Sequence, residues 1–241
     1  MMKQPRVLSM GAGVQTTACL IQYCHTYDAV IFADTGNEGQ DTYQYVEKFL
    51  KPFCKEKGVK WITVSAQKDN KLYSVLDEAL DHQAIERYFW QRQCTGRHKI
   101  RPVLNWIRKN IPCGKNNPCK VDIGFSFDES TRIGKDYTQQ YVTKNYPLAH
   151  NRITHRQCLE IITKHGWPIP SKSSCTFCPF RGKKKMREFA KNNPDTFKLL
   201  VDAENRDAPR TIFRGHKLEN INSDQSLDDF ESQCDSGHCF T

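Results

Sequence analysis

The chain has 241 residues, and its 36 Lys and Arg residues against 27 Asp and Glu residues give a formal net charge of +9. This length supports one large domain, or one domain with a smaller appendage, that needs no disulfide bonds to hold its core. The sequence shows neither a secretory signal nor an apolar run long enough to cross a membrane, so we expect a cytoplasmic protein. In that reducing compartment, the eleven cysteines would more often bind metal or take part in chemistry than form disulfides.

The N-terminal part alternates between strand and helix patterns. "RVLSM" predicts a strand that leads into a helix over "VQTTACLIQYC", and "AVIFA" is typical of a strand buried on both faces of a parallel sheet. Val46, Phe49, Leu50 and Phe53 share one face of the next predicted helix, which Gly58 ends. "VKWITV" then predicts a third strand. This order favours an α/β fold with crossover helices on a parallel sheet.

The remainder of the chain becomes helical. "KLYSVLDEALDHQAIERYFWQRQ" predicts a helix up to Cys94, Pro102 starts another, and "VDIGFSF" is the next strand. Three further helices are predicted beyond about residue 150, before a polar tail. We therefore divide the sequence into a nucleotide-binding α/β domain, residues 1–150, and a helical, cysteine-bearing C-terminal region, residues 151–241.

A glycine-containing turn follows the first predicted strand. In "SMGAGVQTT", Ser9 ends the strand, Gly11 and Gly13 allow close backbone approach, and Thr16 and Thr17 open the helix. Such a turn presents unpaired N–H groups to an anion. It lacks the GK[ST] ending of a Walker loop and the last glycine of the dinucleotide fingerprint. The turn alone leaves open both phosphate binding and an ordinary connection.

Cys175 and Cys178 form a CxxC pair in "SSCTFCPF". The pair fits a redox couple or half of a zinc or iron–sulfur site, and its late position in a helical region argues against a thioredoxin-like couple. Spacing does not separate zinc from iron–sulfur. Cys19, Cys24 and Cys54 are expected to be buried on helix faces.

A basic run follows the CxxC pair. Its members are Arg181, Lys183, Lys184, Lys185 and Arg187. Such a run favours the phosphate backbone of a nucleic acid, and a solvated helix face remains an equal alternative.

Five motifs resemble, in order, those of the adenine nucleotide α-hydrolase superfamily, also called PP-loop ATP pyrophosphatases, in its 3′-phosphoadenylyl sulfate (PAPS) reductase-like branch. "LSMGAGVQTTA" resembles the SGGxDS pyrophosphatase loop, and "FADTGNE" resembles the motif after the second strand. "CTGRHKIRP", "GFSFDESTRI" and "SSCTFCPF" are similar to the later motifs. The resemblance covers nearly the whole chain.

The resemblance implies a doubly wound sheet that binds ATP or PAPS. It places the nucleotide near seven residues: Ser9, Gly11, Gly13, Gln15, Thr16, Asp34 and Arg132. Asp34 capping its own loop, and Arg132 as an ordinary ion-paired residue, remain alternatives. The chain departs from the family pattern at Gln15 and Thr16, which replace the usual Asp and Ser.

The resemblance also favours a [4Fe-4S] cluster, with zinc as the alternative. The resemblance implies a ligand at Cys94, and Cys158 is the best further candidate to join Cys175 and Cys178. Sulfonucleotide reductases use a C-terminal cysteine to attack the sulfate sulfur, a role that Cys239 or Cys234 would take here. The tail lacks the ECGxH pattern of those enzymes.

Three functions follow from these expectations. The first is an adenine-nucleotide-dependent enzyme that attacks the α-phosphate of ATP, releases pyrophosphate and transfers sulfur with the help of the cluster. The second is a PAPS or APS reductase that releases sulfite. The third is a non-catalytic accessory protein that binds nucleotide or nucleic acid.

Overall fold

The computed structural model describes residues 3–82, 85–134, 139–206, 211–213 and 216–221. These residues form two compact units. The first unit comprises 3–34, 38–65 and 99–173, and the second comprises 35–37, 66–82, 85–98 and the described residues from 174 onward. No helix within these ranges is long and apolar enough to span a membrane.

The first unit is built on a parallel sheet. The strands of the described chain are β1 (Arg6–Met10), β2 (Ala29–Ala33), β3 (Lys60–Val64), β4 (Gln67–Lys68), β5 (Lys71–Leu72), β6 (Cys119–Asp122) and β7 (Val142–Asn145). Five of them form one sheet in the order β3-β2-β1-β6-β7, and every neighbouring pair is parallel. The prediction of an α/β fold on a mostly parallel sheet is confirmed.

The helices fill the connections. They are α1 (Val14–Tyr23), α2 (Gln40–Tyr45), α3 (Lys51–Glu56), α4 (Val75–Asp81), α5 (Ile85–Trp90), α6 (Arg101–Asn110), α7 (Pro147–His150), α8 (His155–Lys164), α9 (Lys183–Asn192) and α10 (Pro194–Arg206). A π-helical turn at Val46–Leu50 joins α2 to α3, and another at Thr95–Ile100 leads into α6. The helix predicted before Gly58 is therefore present, and Gly58 has the positive φ of 67° that a helix stop favours.

Alternate residues of the central strands enter two separate cores. Leu8 of β1 and Val30 of β2 pack with α1 and α8 in one core, whereas Val7 and Ile31 pack with α6 in the other. Because successive side chains of a strand point to opposite faces, both faces of the sheet are covered by helices.

Two sequence predictions about strands and helices are wrong. The strand over "VDIGFSF" ends at Asp122, and the chain turns into a short 3-10 helix, Phe127–Arg132. The long helix predicted from Lys71 begins only at Val75, because Ser74 caps it: the Ser74 Oγ accepts a hydrogen bond from the Asp77 N–H at 3.2 Å. Strand β7 had no sequence prediction.

The second unit has a single apolar core, formed mainly by α4, α5, α9 and α10. The sequence pattern predicts one boundary near residue 150; in the structure, residues 151–173 belong to the first unit and residues 66–82 and 85–98 to the second. The physical reason is packing: α8 covers the sheet core through Cys158, while the apolar faces of α4 and α5 pack with α9 and α10.

The strand order sets the position of the candidate site. From β1 the chain builds outward to β2 and β3, and later returns to the other side of β1 with β6 and β7. In open α/β sheets, ligands bind where this reversal occurs, beyond the carboxyl ends of the two central strands. Here those ends are Met10 and Asp122.

One buried carboxylate links three strands of the sheet and the segment before β2. Asp122 is fully buried and accepts hydrogen bonds from Arg6 Nη2 at 2.7 Å, Tyr27 Oη at 2.9 Å and Asn145 Nδ2 at 2.6 Å. Burial, together with nearby negative groups that include Asp122, raises the pKa of Tyr27, so its hydroxyl remains a donor.

We expect Asp122→Asn to lower the free energy of unfolding by about 3 kcal/mol, because it leaves the half-buried Arg6 without its counterion. Glu160→Gln is the matched control, since its partner Arg156 has an 89% exposed side chain, and should cost less than about 1 kcal/mol. Urea denaturation of both variants measures the difference. Equal losses would contradict a structural role for Asp122.

Candidate functional site

The glycine turn connects β1 to the first turn of α1. Ala12 has a positive φ of 56° and Gly13 precedes the helix, with its N–H donating to Thr16 Oγ1 at 3.2 Å. The first turn of α1 contains no acidic residue. No carboxylate within this first turn therefore neutralises the positive end of the helix dipole or accepts from its free N–H groups.

The loop that follows β6 packs directly against this turn. A Cβ atom on Gly124 would lie 2.8 Å from Thr16 Cγ2 and 2.9 Å from the Thr16 backbone nitrogen. The second distance is to backbone, which cannot rotate away. Only glycine fits at position 124, and the two loops of the sheet edge form one packed structure.

Glu129 joins the same two loops by hydrogen bonds. Its Oε2 accepts from Gln15 Nε2 at 3.0 Å and from the Ser126 hydroxyl at 3.1 Å, and its Oε1 accepts from Arg132 Nη1. One carboxylate thus holds the first turn of α1, the cap of the short helix Phe127–Arg132 and the arginine at the end of that helix.

Arg132 is the anion-binding candidate that the structure supports best. Its side chain is 7% exposed, and its guanidinium carbon lies 4.3 Å from the centroid of the Phe125 ring. Nη1 bonds Glu129, whereas Nε and Nη2 are buried without a hydrogen-bond partner among the residues that the structure describes. Because unsatisfied buried donors are costly, an anion that accepts from them would bind favourably.

The structure adds a histidine that sequence reasoning missed. Gln15 Nε2 lies 3.2 Å from His155 Nδ1, and the His155 N–H donates to Asp128 Oδ1 at 2.9 Å. Thr154 caps α8 just before it. His155 is 140 positions from Gln15 and belongs to none of the quoted motifs. Among those motifs, only the acidic pair in "GFSFDESTRI" indicated this cluster.

The other predicted nucleotide residues lie at the same edge of the sheet. Ser9 is in β1, Gly11 and Gly13 are in the turn, and Thr16 is in the first turn of α1. Asp34 follows β2, where its Oδ1 accepts the Tyr43 hydroxyl at 2.7 Å. Burial and this bond raise the pKa of Tyr43.

The four predicted metal ligands are divided between the two units. Cys158 is fully buried in the sheet core of the first unit, where burial raises the pKa of its thiol to about 12. Cys94, Cys175 and Cys178 belong to the second unit, in which the Cys178 N–H donates to the Cys175 carbonyl at 3.1 Å.

The four-cysteine site stays a prediction. In the ranges given above, no group of three or more Cys, His, Asp or Glu residues is arranged to hold a metal ion. Cys234 and Cys239 lie outside the described residues. A metal at the CxxC pair stays a prediction. Cys19, Cys24 and Cys54 are buried, as predicted.

The basic run lies mainly on α9. Lys184 and Lys185 are exposed, with Lys185 paired to Glu188 at 2.6 Å. Arg187 donates through Nε to the Ile221 carbonyl at 2.7 Å, so it also has a structural role. Nucleic-acid binding by this run stays a prediction.

A second polar cluster lies in the second unit. Glu78 contacts both Arg97 and His98. Burial opposes ionisation of Glu78, but the bonds to Arg97 and His98 prevail and lower its pKa. Burial lowers the pKa of His98. Arg97 and His98 belong to the "CTGRHKIRP" motif, and both contact Glu78 of α4.

No family model matches the chain, and a search of curated proteins found no match.

We expect Gly124→Ala to lower the free energy of unfolding by about 1–3 kcal/mol, because the new methyl group overlaps the Thr16 backbone. Gly114→Ala is the control, since a Cβ there meets nothing within 4 Å. Thermal and urea denaturation compare the two variants. A Gly124→Ala protein as stable as the control would show that the two loops are not packed as described.

We expect Cys158→Ser to leave the iron and zinc content of anaerobically purified protein unchanged. The variant should lose about 1–3 kcal/mol of stability, because a hydroxyl replaces a thiol in an apolar core. Cys175→Ser is the comparison for metal content, and elemental analysis with urea denaturation measures both effects. Metal lost from Cys158→Ser, with stability retained, would identify Cys158 as a ligand.

Proposed function

We propose that the chain is an adenine-nucleotide-dependent enzyme that acts at the α-phosphate of ATP. In this proposal, the β- and γ-phosphates bind at the first turn of α1 and the α-phosphorus is attacked by an acceptor. The proposal extends to membership of the PP-loop ATP pyrophosphatase superfamily, PAPS reductase-like branch, on the strength of the five motifs.

The observation that carries the proposal is Arg132 with its two buried donors. Nε and Nη2 have no hydrogen-bond partner in the described part of the chain, and Nη1 is linked through Glu129 to Gln15 in the first turn of α1. A helix start without acidic residues and a buried guanidinium form a site for a multiply charged anion. Its place at the reversal of strand order favours a nucleotide.

The chemistry requires only positioning and charge stabilisation from these residues. An acceptor oxygen or other nucleophile forms a bond to the α-phosphorus, and the bond from that phosphorus to the bridging oxygen breaks. Pyrophosphate leaves with the electron pair. Arg132 and the N–H groups of α1 would stabilise the negative charge that develops on the leaving group.

The adenylated acceptor and the sulfur step are further parts of the proposal. The net charge of +9 and the exposed Lys184 and Lys185 on α9 favour a nucleic-acid acceptor. Transfer of sulfur to that acceptor, and an iron–sulfur cluster or zinc at the CxxC pair, rest on the motif resemblance alone.

The test is incubation of the protein with Mg-ATP or with PAPS and reductant. We expect pyrophosphate and AMP from ATP, with water as acceptor, and no sulfite from PAPS. Arg132→Met should lower kcat/KM for pyrophosphate release about 100-fold, by analogy with the loss of one charge-stabilising donor. Arg156→Met, at an exposed position, should leave kcat/KM unchanged.

Two outcomes would contradict this function. Sulfite that disappears in Cys239→Ser or Cys234→Ser would identify a sulfonucleotide reductase. Nucleotide binding without turnover of either substrate, with metal and reductant supplied, would identify an accessory protein.

A further inference from the structure

The Glu129 carboxylate fixes the orientation of the Gln15 amide. An ionised carboxylate accepts hydrogen bonds and has none to donate. The group of Gln15 that lies 3.0 Å from Glu129 Oε2 must therefore be the amide nitrogen, as it is in the structure. The amide oxygen in that place would meet a second acceptor.

The orientation of Gln15 in turn fixes the tautomer of His155. The same amide nitrogen lies 3.2 Å from His155 Nδ1. An amide nitrogen donates and does not accept, so Nδ1 must be the acceptor and carries no proton. In the neutral imidazole the proton is then on Nε2.

The backbone of His155 is also held in place. Its N–H donates to both carboxylate oxygens of Asp128, at 2.9 and 3.2 Å, and it is the first residue of the capped helix α8. The residue is exposed, and its Nε2 makes no hydrogen bond within the described ranges. A donor of fixed tautomer thus lies beside the first turn of α1.

We infer that His155 Nε2 donates a hydrogen bond to the β- or γ-phosphate of the bound nucleotide, with Gln15 as the residue that positions it. This inference rests on the proposed function. It also explains why the chain has Gln15 where the family loop has Asp. An Asp there would place a second carboxylate against Glu129, whereas Gln15 bridges Glu129 and His155.

The inference predicts a selective effect on polyphosphate binding. His155→Ala should weaken ATP binding about 10- to 100-fold, as expected for a lost hydrogen bond to a charged group. Affinity for AMP, which lacks the β- and γ-phosphates, should not change. His155→Gln should recover part of the ATP affinity, because its amide retains an N–H donor. Calorimetric titration with ATP and AMP measures each variant.

His25→Ala is the matched control. His25 is an exposed histidine that follows the opposite end of α1, so its loss should leave both affinities unchanged. A general folding defect in His155→Ala would weaken the binding of AMP and of ATP equally. That result would contradict a specific phosphate contact.

A second measurement does not depend on nucleotide binding. Nitrogen NMR of histidine-labelled protein near pH 8, where ordinary imidazoles are neutral, should show His155 protonated at Nε2. The spectrum of His155→Gln assigns the signal by difference. Gln15→Leu should release the constraint and populate the Nδ1-protonated form.

The outcomes separate this inference from the proposed function. ATP affinity retained in His155→Ala, while the wild type still releases pyrophosphate, would overturn the inference and leave the function standing. A wild-type His155 protonated at Nδ1 would overturn the inference regardless of nucleotide. A wild-type protein that binds neither ATP nor AMP would overturn both.

Discussion

The Glu129 carboxylate is the interaction on which the candidate site depends. It comes from the loop after β6, yet it bonds Gln15 in the first turn of α1 and Arg132 at the end of its own short helix. Without it, the arginine would lose its counterion and the glutamine its orientation. The close passage of Gly124 against Thr16 makes these bonds possible, since it brings the two loops into contact.

The sheet supplies the rigid frame for this contact. Strands β1 and β6 are hydrogen-bonded neighbours, and Asp122 fastens the end of β6 to Arg6, Tyr27 and Asn145. The loops that leave these strands therefore start from fixed points at one edge. A site assembled from loops on adjacent strands can combine a helix start, a buried arginine and a histidine that are remote in sequence.

Periodicity predicted most of the first unit, because its strands and helices carry apolar patterns that local sequence specifies. Strand β2 is buried along its whole length, as the run "AVIFA" predicts. The pattern failed where tertiary contacts decide: "VDIGFSF" looks like a strand, but Gly124 must pass close to Thr16. Sequence predicted Arg132 and the glycine turn, while His155 depends on a contact across 140 positions, which no local pattern encodes. The position of Cys158 upstream of the CxxC pair predicts a metal ligand, and the packing of its helix on the sheet is a tertiary contact that no local pattern encodes.

Hydrogen–deuterium exchange with and without Mg-ATP locates the bound phosphates on the chain. We predict slower exchange in peptides covering residues 11–17 and 124–132 when ATP is present, and a smaller effect with AMP. Protection confined to other segments, with the glycine turn and the Arg132 loop unchanged at saturating ATP, would contradict this prediction.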